Sequence, residues 1–397
     1  MANVLVVAGG EWQIPIIKKA KELGHYVVCS NLYKDSLGFD YADVGEISDV
    51  LDKEKNLEIA RKYNIDIAIT DQSDIAVPTV AYVCDKLGIK GIGADIAERF
   101  TDKYLMRKIS KDKGFFTPDF TKCMSYDEAK AFTDSHSKSI IKPVNSQASR
   151  GIYVILCGEE FKDRFDKAMS YSHDKKAVIV EEYIDGKEFT VDGLKIEGRY
   201  DVLAISEKKH YKHNENVASE LFFSNINSEY DYAVLRKINQ ELVFAMELPF
   251  GMTHAEYKYC DGKFYLIEIA ARGGGTKISS DIVPLMSGIN SNEILLRYLS
   301  GENIDYEVKC DFNKYAILKF FNFKRGKVKK ILGYNEIRNW DNVLDIKIKV
   351  KEGDVINNPE DDSERSGYYI ATAASKAELE ILSDKIENTI RIDYDIK

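Results

Sequence analysis

The opening of the chain alternates apolar runs with amphipathic stretches, and few folds accommodate that alternation. Residues 3–8 form an apolar run that stops at Gly9-Gly10. Ile14, Ile16, Ile17, Ala20 and Leu23 then recur at helical spacing up to Gly24, a natural stop. Tyr26–Ser30 reads as a second buried strand. Leu57, Ile59, Ala60 and Tyr63 mark another helix ahead of a further apolar strand, Ile65–Thr70. Strand, helix and strand with short connections predict a parallel sheet with right-handed crossovers, ending near residue 95.

Beyond Thr101 the texture changes. A helix starts at Asp102-Lys103, and Ser139–Pro143 is a short apolar strand that carries one lysine. A polar stretch at 145–151 leads into Tyr153–Cys157, and Val178–Ile184 and Phe189–Ile196 follow as further strands. These predict an antiparallel lid beside the first sheet. Residues 200–300 return to a larger mixed α/β texture. After Gly301, Tyr315–Phe323, Ile346–Lys351 and Tyr368–Ala373 read as strands and Ala377–Ile390 as a closing helix.

Composition narrows the function. Apolar residues make up 44% and charged residues 30% of the 397, the balance of a globular chain and not of a disordered one. The 65 acidic residues exceed the 56 basic ones, for a net charge of −9. Binding along a nucleic-acid backbone calls for the opposite sign. No apolar stretch reaches the roughly 18 residues that span a bilayer, and the N-terminus lacks the charged start of a secretion signal. The six cysteines (Cys29, Cys84, Cys123, Cys157, Cys260, Cys310) include no Cys-x-x-Cys pair and read as reduced thiols in a cytoplasmic protein. Neither a nucleic acid nor a membrane is expected as a partner.

Several groups of residues carry chemistry. Lys103 opens a helix, whereas Lys142 sits inside the apolar run Ile140-Ile141-Lys142-Pro143. A lysine there either faces solvent from an edge strand or needs a buried partner, because an unpaired ammonium is costly to bury. A nucleotide phosphate is one such partner. Asn145-Ser146-Gln147-Ala148-Ser149-Arg150-Gly151 follows as a polar turn. It is either a plain hairpin or a loop whose N–H groups and hydroxyls meet phosphate. In Glu181-Glu182-Tyr183-Ile184-Asp185-Gly186-Lys187-Glu188 a strand runs into a hinge and out again. Such a hinge offers backbone and apolar contacts to an adenine and Glu188 to ribose hydroxyls, or else it is a solvated hairpin.

The sharpest local feature joins Glu256, Glu268 and Arg272. Asp261-Gly262 marks a tight hairpin turn between the two acids, so they can face each other across one ladder. Facing carboxylates repel unless a cation lies between them. Magnesium suits the place, taking hard oxygen ligands from carboxylates and phosphates together; a salt-bridged surface hairpin is the plainer alternative. Arg272 has the fork geometry for a carboxylate or a transferring phosphate, and Gly273-Gly274-Gly275 lets the chain pass close to a ligand. Asp71-Gln72-Ser73-Asp74 lies at the carboxyl end of a strand, where parallel sheets bind ligands, or Ser73 simply caps a helix. His210 and His213 fall in a basic stretch read as a mobile loop that contacts substrate or is solvated, with no further ligand spaced for zinc. His254 reads as a structural histidine rather than a base.

Taken in order, Lys103, Lys142, the 145–151 loop, the Glu-Glu-Tyr-Ile hinge, Glu256, Glu268 and Arg272 resemble the ATP-grasp superfamily. The resemblance is to the branch with biotin carboxylase, carbamoyl-phosphate synthetase and the L-amino-acid ligases, and it covers nearly the whole chain. It implies an ATP-grasp fold of the α/β class with an α+β lid. An N-terminal parallel-sheet domain would occupy 1–98, a central ATP-grasp domain 99–300 with its lid at about 118–190, and a C-terminal mixed domain 301–397.

The resemblance further implies ATP and magnesium as cofactors, with manganese able to substitute. Lys103 and Lys142 would hold the α- and β-phosphates, and Ser146, Ser149 and Gly151 would cover the β- and γ-phosphates. Glu181, Tyr183 and Ile184 would bind adenine, Glu188 the ribose, and Glu256 and Glu268 the metal. Arg272, with Lys142 beside it in the catalytic set, would stabilise the transferring phosphoryl group or an acyl phosphate. Arg272, Gly273, Gly274, Ser73, Asp74 and His213 would touch substrate. The implied reaction joins a small carboxylate to an amine and releases ADP and phosphate. Bicarbonate as the acid, phosphoryl transfer to a small acceptor, and a non-catalytic nucleotide-binding module are the alternatives. A homodimer is one assembly compatible with the family. Two departures stand out. Ala270 takes the place of a frequent asparagine two positions after the second metal-binding glutamate, and the loop has one glycine, Gly151, where biotin carboxylase has a run. The form Glu268-Ile269-Ala270-Ala271-Arg272-Gly273-Gly274 is nearer the amino-acid ligases than the carboxylases.

Overall fold

A four-stranded parallel sheet forms where the alternation predicts one. It comprises β1 (Asn3–Val7), β2 (Tyr26–Asn31), β3 (Val44–Ile47) and β4 (Ile67–Ile69), in the order β3-β2-β1-β4. The computed structural model describes residues 1–146, 150–172 and 176–395. Val4–Val7 are wholly buried, as a strand covered on both faces requires. Helices α1 (Ile14–Glu22), α2 (Lys53–Lys62) and α3 (Val77–Leu87) flank the sheet, and Gly24 ends the first turn-out at φ +81°. The edge strand β3 has no continuous apolar run, which is why sequence patterning passes over it. Then α4 (Ala94–Arg99) and α5 (Lys103–Asp112) lead onward, the latter capped by the Asp102 side chain on the Leu105 N–H.

The lid is a separate antiparallel sheet. Its strands are β5 (Phe120–Cys123), β6 (Lys138–Pro143), β7 (Tyr153–Leu156) and β8 (Val178–Glu182), ordered β5-β8-β6-β7. Cys123, Ile141, Ile155, Phe161, Phe165 and Val180 form its core.

The expected fourth lid strand goes elsewhere. Lys187–Ile196 is β9, and it lies inside an eight-stranded sheet with β10 (Arg199–Tyr211), β11 (Asn214–Ser224), β12 (Gly251–Cys260) and β13 (Lys263–Ala270). Residues Glu188–Ile196 are buried throughout, which an edge of the lid does not allow. Of the C-terminal strands β14 (Tyr315–Phe320), β15 (Gly326–Leu332), β16 (Val343–Ile348), β17 (Val355–Ile356), β18 (Gly367–Ala373) and β19 (Arg391–Tyr394), three extend this same sheet. Its order is β13-β12-β9-β10-β11-β14-β18-β16, and β17, β15 and β19 form a small sheet apart. The fold is therefore mixed α/β, with one ladder running across residue 301. Among the described residues no helix is long and apolar enough to cross a membrane.

Candidate active site

The turn between β12 and β13 has Asp261 and Gly262 both at positive φ, the geometry of a two-residue hairpin. That turn sets the register as far as Tyr257 opposite Leu266; a one-residue bulge at Ile267 then shifts the ladder so that Glu256 stands directly opposite Glu268, with His254 opposite Ala270 two residues on. Each acid is met by a lysine from another element. Lys103, first residue of α5, donates to Glu268 Oε1 at 2.7 Å and to the Ser146 carbonyl at 2.8 Å. Lys208 of β10 lies 2.8 Å from Glu256 and 2.6 Å from Glu188. His210 stands 3.4 Å from the other Glu188 oxygen. Burial opposes ionisation of both carboxyls, but Lys208 outweighs it, holding Glu188 at about 2 and Glu256 well below the usual carboxylate range.

Lys142 points inward from β6 and finds a protein partner: its Nζ is 2.6 Å from Glu181 Oε2. Arg107 of α5 takes Oε1 at 2.5 Å. Burial again opposes the charge, and Arg107 with Lys142 overcomes it to hold Glu181 at about 2. The Glu181 side chain is 1% exposed and enclosed by two cations. The hinge beside it is braced. Lys138 and Lys258 lie 3.8 and 4.1 Å from the Tyr183 ring centre on either count, and Lys258 also donates to the Ile184 carbonyl at 3.0 Å.

Arg272 forks onto Asp74, with Nε and Nη2 at 2.9 and 2.7 Å, and its Nη1 donates to the Gly273 carbonyl. Asp74 opens a short 3-10 turn after β4, so this pair joins the first domain to the central sheet. Ser73 occupies the N-cap position of that turn without a side-chain cap bond. The closeness that Gly273 and Gly274 permit is to protein groups. A Cβ on Gly273 would lie 2.6 Å from Asp71 Oδ1, and one on Gly274 2.6 Å from Asp192 Oδ1. Asp71 is fully buried, which raises its pKa, and it accepts from Ser279 at 2.8 Å. Asp192 holds His254 Nδ1 at 2.9 Å; burial works against the imidazolium, and Asp192 raises its pKa to about 9 nonetheless.

The remaining predicted residues divide. Ser146 is half-buried and lines the cleft, Ser149 lies outside the described residues, and Gly151 sits at φ +71° packed on Pro143 and Tyr171. His213 is not brought to the others. It stands in the β10–β11 turn and contacts the Pro359 carbonyl at 3.2 Å. The expected mobile loop is thus mostly strand, since Lys208 and His210 are alternate residues of β10 that share a face, while Lys209 points away to Glu220. Lys208 and Arg107 were missed. The i,i+4 spacing of Lys103 and Arg107 and the period-2 spacing of Lys208 and His210 are the signals that mark them.

A cavity of about 470 Å³ opens at this junction, lined by Asp74, Ile75, Pro78 and Tyr82 of the first domain and by Lys103, Ser146 and Glu268. The donor set suits magnesium. Glu256 and Glu268 supply hard oxygens, and no third carboxylate, histidine or thiol completes a cluster among the described residues. Magnesium commonly takes one or two carboxylates and fills its octahedron with phosphate and water.

Residues 136–281 match the ATP-grasp domain family and residues 319–395 match the L-amino acid ligase C-terminal domain 2. A D-alanine--D-alanine ligase from Saccharophagus degradans is 28% identical over 229 residues, 55% of this chain and 71% of that protein. A formate-dependent phosphoribosylglycinamide formyltransferase from Erythrobacter litoralis is 24% identical over 188 residues, covering 46% of this chain and 48% of the relative, about half its length. The crystal structure of an L-amino acid ligase from Bacillus licheniformis superposes with a TM-score of 0.84 at 21% identity, over 100% of this chain and 99% of that one. The chain accordingly carries an ATP-grasp domain over residues 136–281 and an L-amino acid ligase C-terminal domain 2 over residues 319–395.

Proposed function

We propose that the protein is an ATP-dependent ligase that joins a small carboxylate to an amine and releases ADP and phosphate. One observation carries the reading: Glu256 faces Glu268, and Glu268 lines one cavity together with Lys103 and with Asp74, the residue that holds Arg272. Amide-forming ligases among the similar proteins support it.

Lys103 and Lys142 would hold phosphate oxygens, each leaving a carboxylate partner to do so. Glu256 and Glu268 would hold magnesium, or manganese in its place, and that ion supplies charge neutralisation of the phosphates. Arg272, oriented by Asp74, would stabilise the negative charge of the carboxylate as it takes up the phosphoryl group. The amine then attacks the acyl carbon. The new C–N bond forms as the C–O bond to phosphate breaks, and the amine's proton passes to solvent or to the departing phosphate. The adenine would lie against the Tyr183–Ile184 hinge, with Glu188 near the ribose. Free thiols at Cys29, Cys84 and Cys123, all buried, suit a cytoplasmic setting.

ADP release from Mg-ATP, followed over a panel of carboxylates with and without amines, with phosphorus NMR of the products, tests this. ADP and phosphate that appear only with acid and amine together support the ligase. AMP and pyrophosphate would refute it.

A further inference from the structure

The helix α5 grips strand β13 at three successive residues. Arg107 Nη2 donates to the Ile267 carbonyl, Lys103 Nζ donates to Glu268, and the Ile269 N–H reaches Met106 Sδ at 3.4 Å. Strand β13 is the edge of the eight-stranded sheet, so its outward backbone groups have no neighbouring strand to pair with. Side chains of α5 take that place. Lys103 and Arg107 are four residues apart and share one helix face.

Arg107 also reaches the lid. Its Nε bonds Glu181 Oε1 at 2.5 Å, and Glu181 Oε2 bonds Lys142 at 2.6 Å. Arg107 and Glu181 are each 1% exposed. A continuous chain of contacts therefore runs from Lys142 on β6 through Glu181 and Arg107 to the backbone beside Glu268.

We infer that Arg107 is a positioning residue for nucleotide binding, acting through Glu181 to leave Lys142 free to exchange its protein partner for a phosphate. With Arg107 present, Glu181 remains neutralised when Lys142 departs. Without it, Lys142 is, among the described residues, the one cation left bonded to a fully buried carboxylate, and its release would strand that charge. The inference rests on the nucleotide reading of the cleft.

The test is calorimetric binding of ADP with magnesium to the full chain, with no acid or amine added, so it does not depend on the ligase reaction. Wild-type binding comes first. If the wild type does not bind ADP, the nucleotide reading fails and this inference fails with it. Given wild-type binding, Arg107→Met is expected to weaken ADP at least about tenfold, and Arg107→Lys, which keeps a cation, to recover most of that loss. The double variant Arg107→Met with Glu181→Gln removes the stranded charge and is expected to bind ADP more tightly than Arg107→Met alone. Ser110→Ala, on the same helix face but bonded only to its own helix at Met106, serves as the packing control: it lowers the melting temperature without changing ADP affinity. A folded Arg107→Met that binds like wild type, or a folded double variant no better than the single one, would overturn the inference.

Discussion

Glu256 and Glu268 are direct cross-strand partners, yet neither carries an unbalanced charge, because Lys208 and Lys103 reach them from different elements. Replacing Glu268 with Gln is expected to reduce ADP release by about 100-fold or more while the fold is retained. A chelator should stop the wild type, and magnesium or manganese should restore it. Metal titration of ADP release checks both; a Glu268→Gln rate like that of the wild type would refute the metal assignment.

Arg272 and Asp74 form a largely buried bidentate pair, so the two residues separate stability from chemistry. Arg272→Ala leaves Asp74 uncompensated and is expected to cost up to about 3 kcal/mol. Adding Asp74→Asn should recover most of the melting temperature but none of the turnover. Recovery of ADP release in the double variant would count against a catalytic Arg272.

Lys142→Ala removes one of two cations from Glu181 and keeps the other. The KM for ATP is expected to rise about tenfold or more, with a smaller fall in melting temperature than Arg107→Met produces. An unchanged KM would remove Lys142 from the phosphate site.

Acid titration isolates the same cluster. The Glu181 carboxyl is depressed from an ordinary 4.5 to about 2, by Arg107 and Lys142 against the effect of burial. A depressed carboxyl contributes stability that is complete above the unfolded value and disappears as pH falls through the folded one. The stability gap between wild type and Glu181→Gln should be constant above pH 4.5 and narrow between about pH 4.5 and 2. Urea midpoints across that range measure it, and a gap independent of pH would contradict the ion triad.

The legible parts of this molecule share a local cause. Val4–Val7 announce a doubly covered strand in the sequence itself, and Asp261-Gly262 announces the hairpin that carries Glu256 and Glu268, although the one-residue bulge at Ile267 that puts them face to face has no local signal. Lys142 stands out because an apolar strand surrounds it. What escaped depends on distant pairing. Glu181 meets Arg107 across 74 residues and Lys208 meets Glu256 across 48, separations that no local period encodes. Strand β9 departs from the lid for the same reason: Asp185-Gly186 resembles a hairpin turn, yet the chain leaves the lid there and enters another sheet between β12 and β10. His213 shares a charged stretch with Lys208 and His210, but the turn between β10 and β11 carries it to Pro359 instead.

The ladder between β11 and β14 joins Glu220 through Ser224 to Lys319 through Tyr315, on opposite sides of residue 301. As a mechanical object the chain is therefore stiff where its domain count suggests a joint. Swinging the C-terminal segment outward would tear five consecutive residue pairs, whereas the lid, with its own sheet and its own core, can tilt without breaking any strand pairing. Compliance is thus concentrated at the roots of β6 and β8, where Lys142 and Glu181 sit, and under the proposed ligase function those roots would set how a nucleotide enters and leaves.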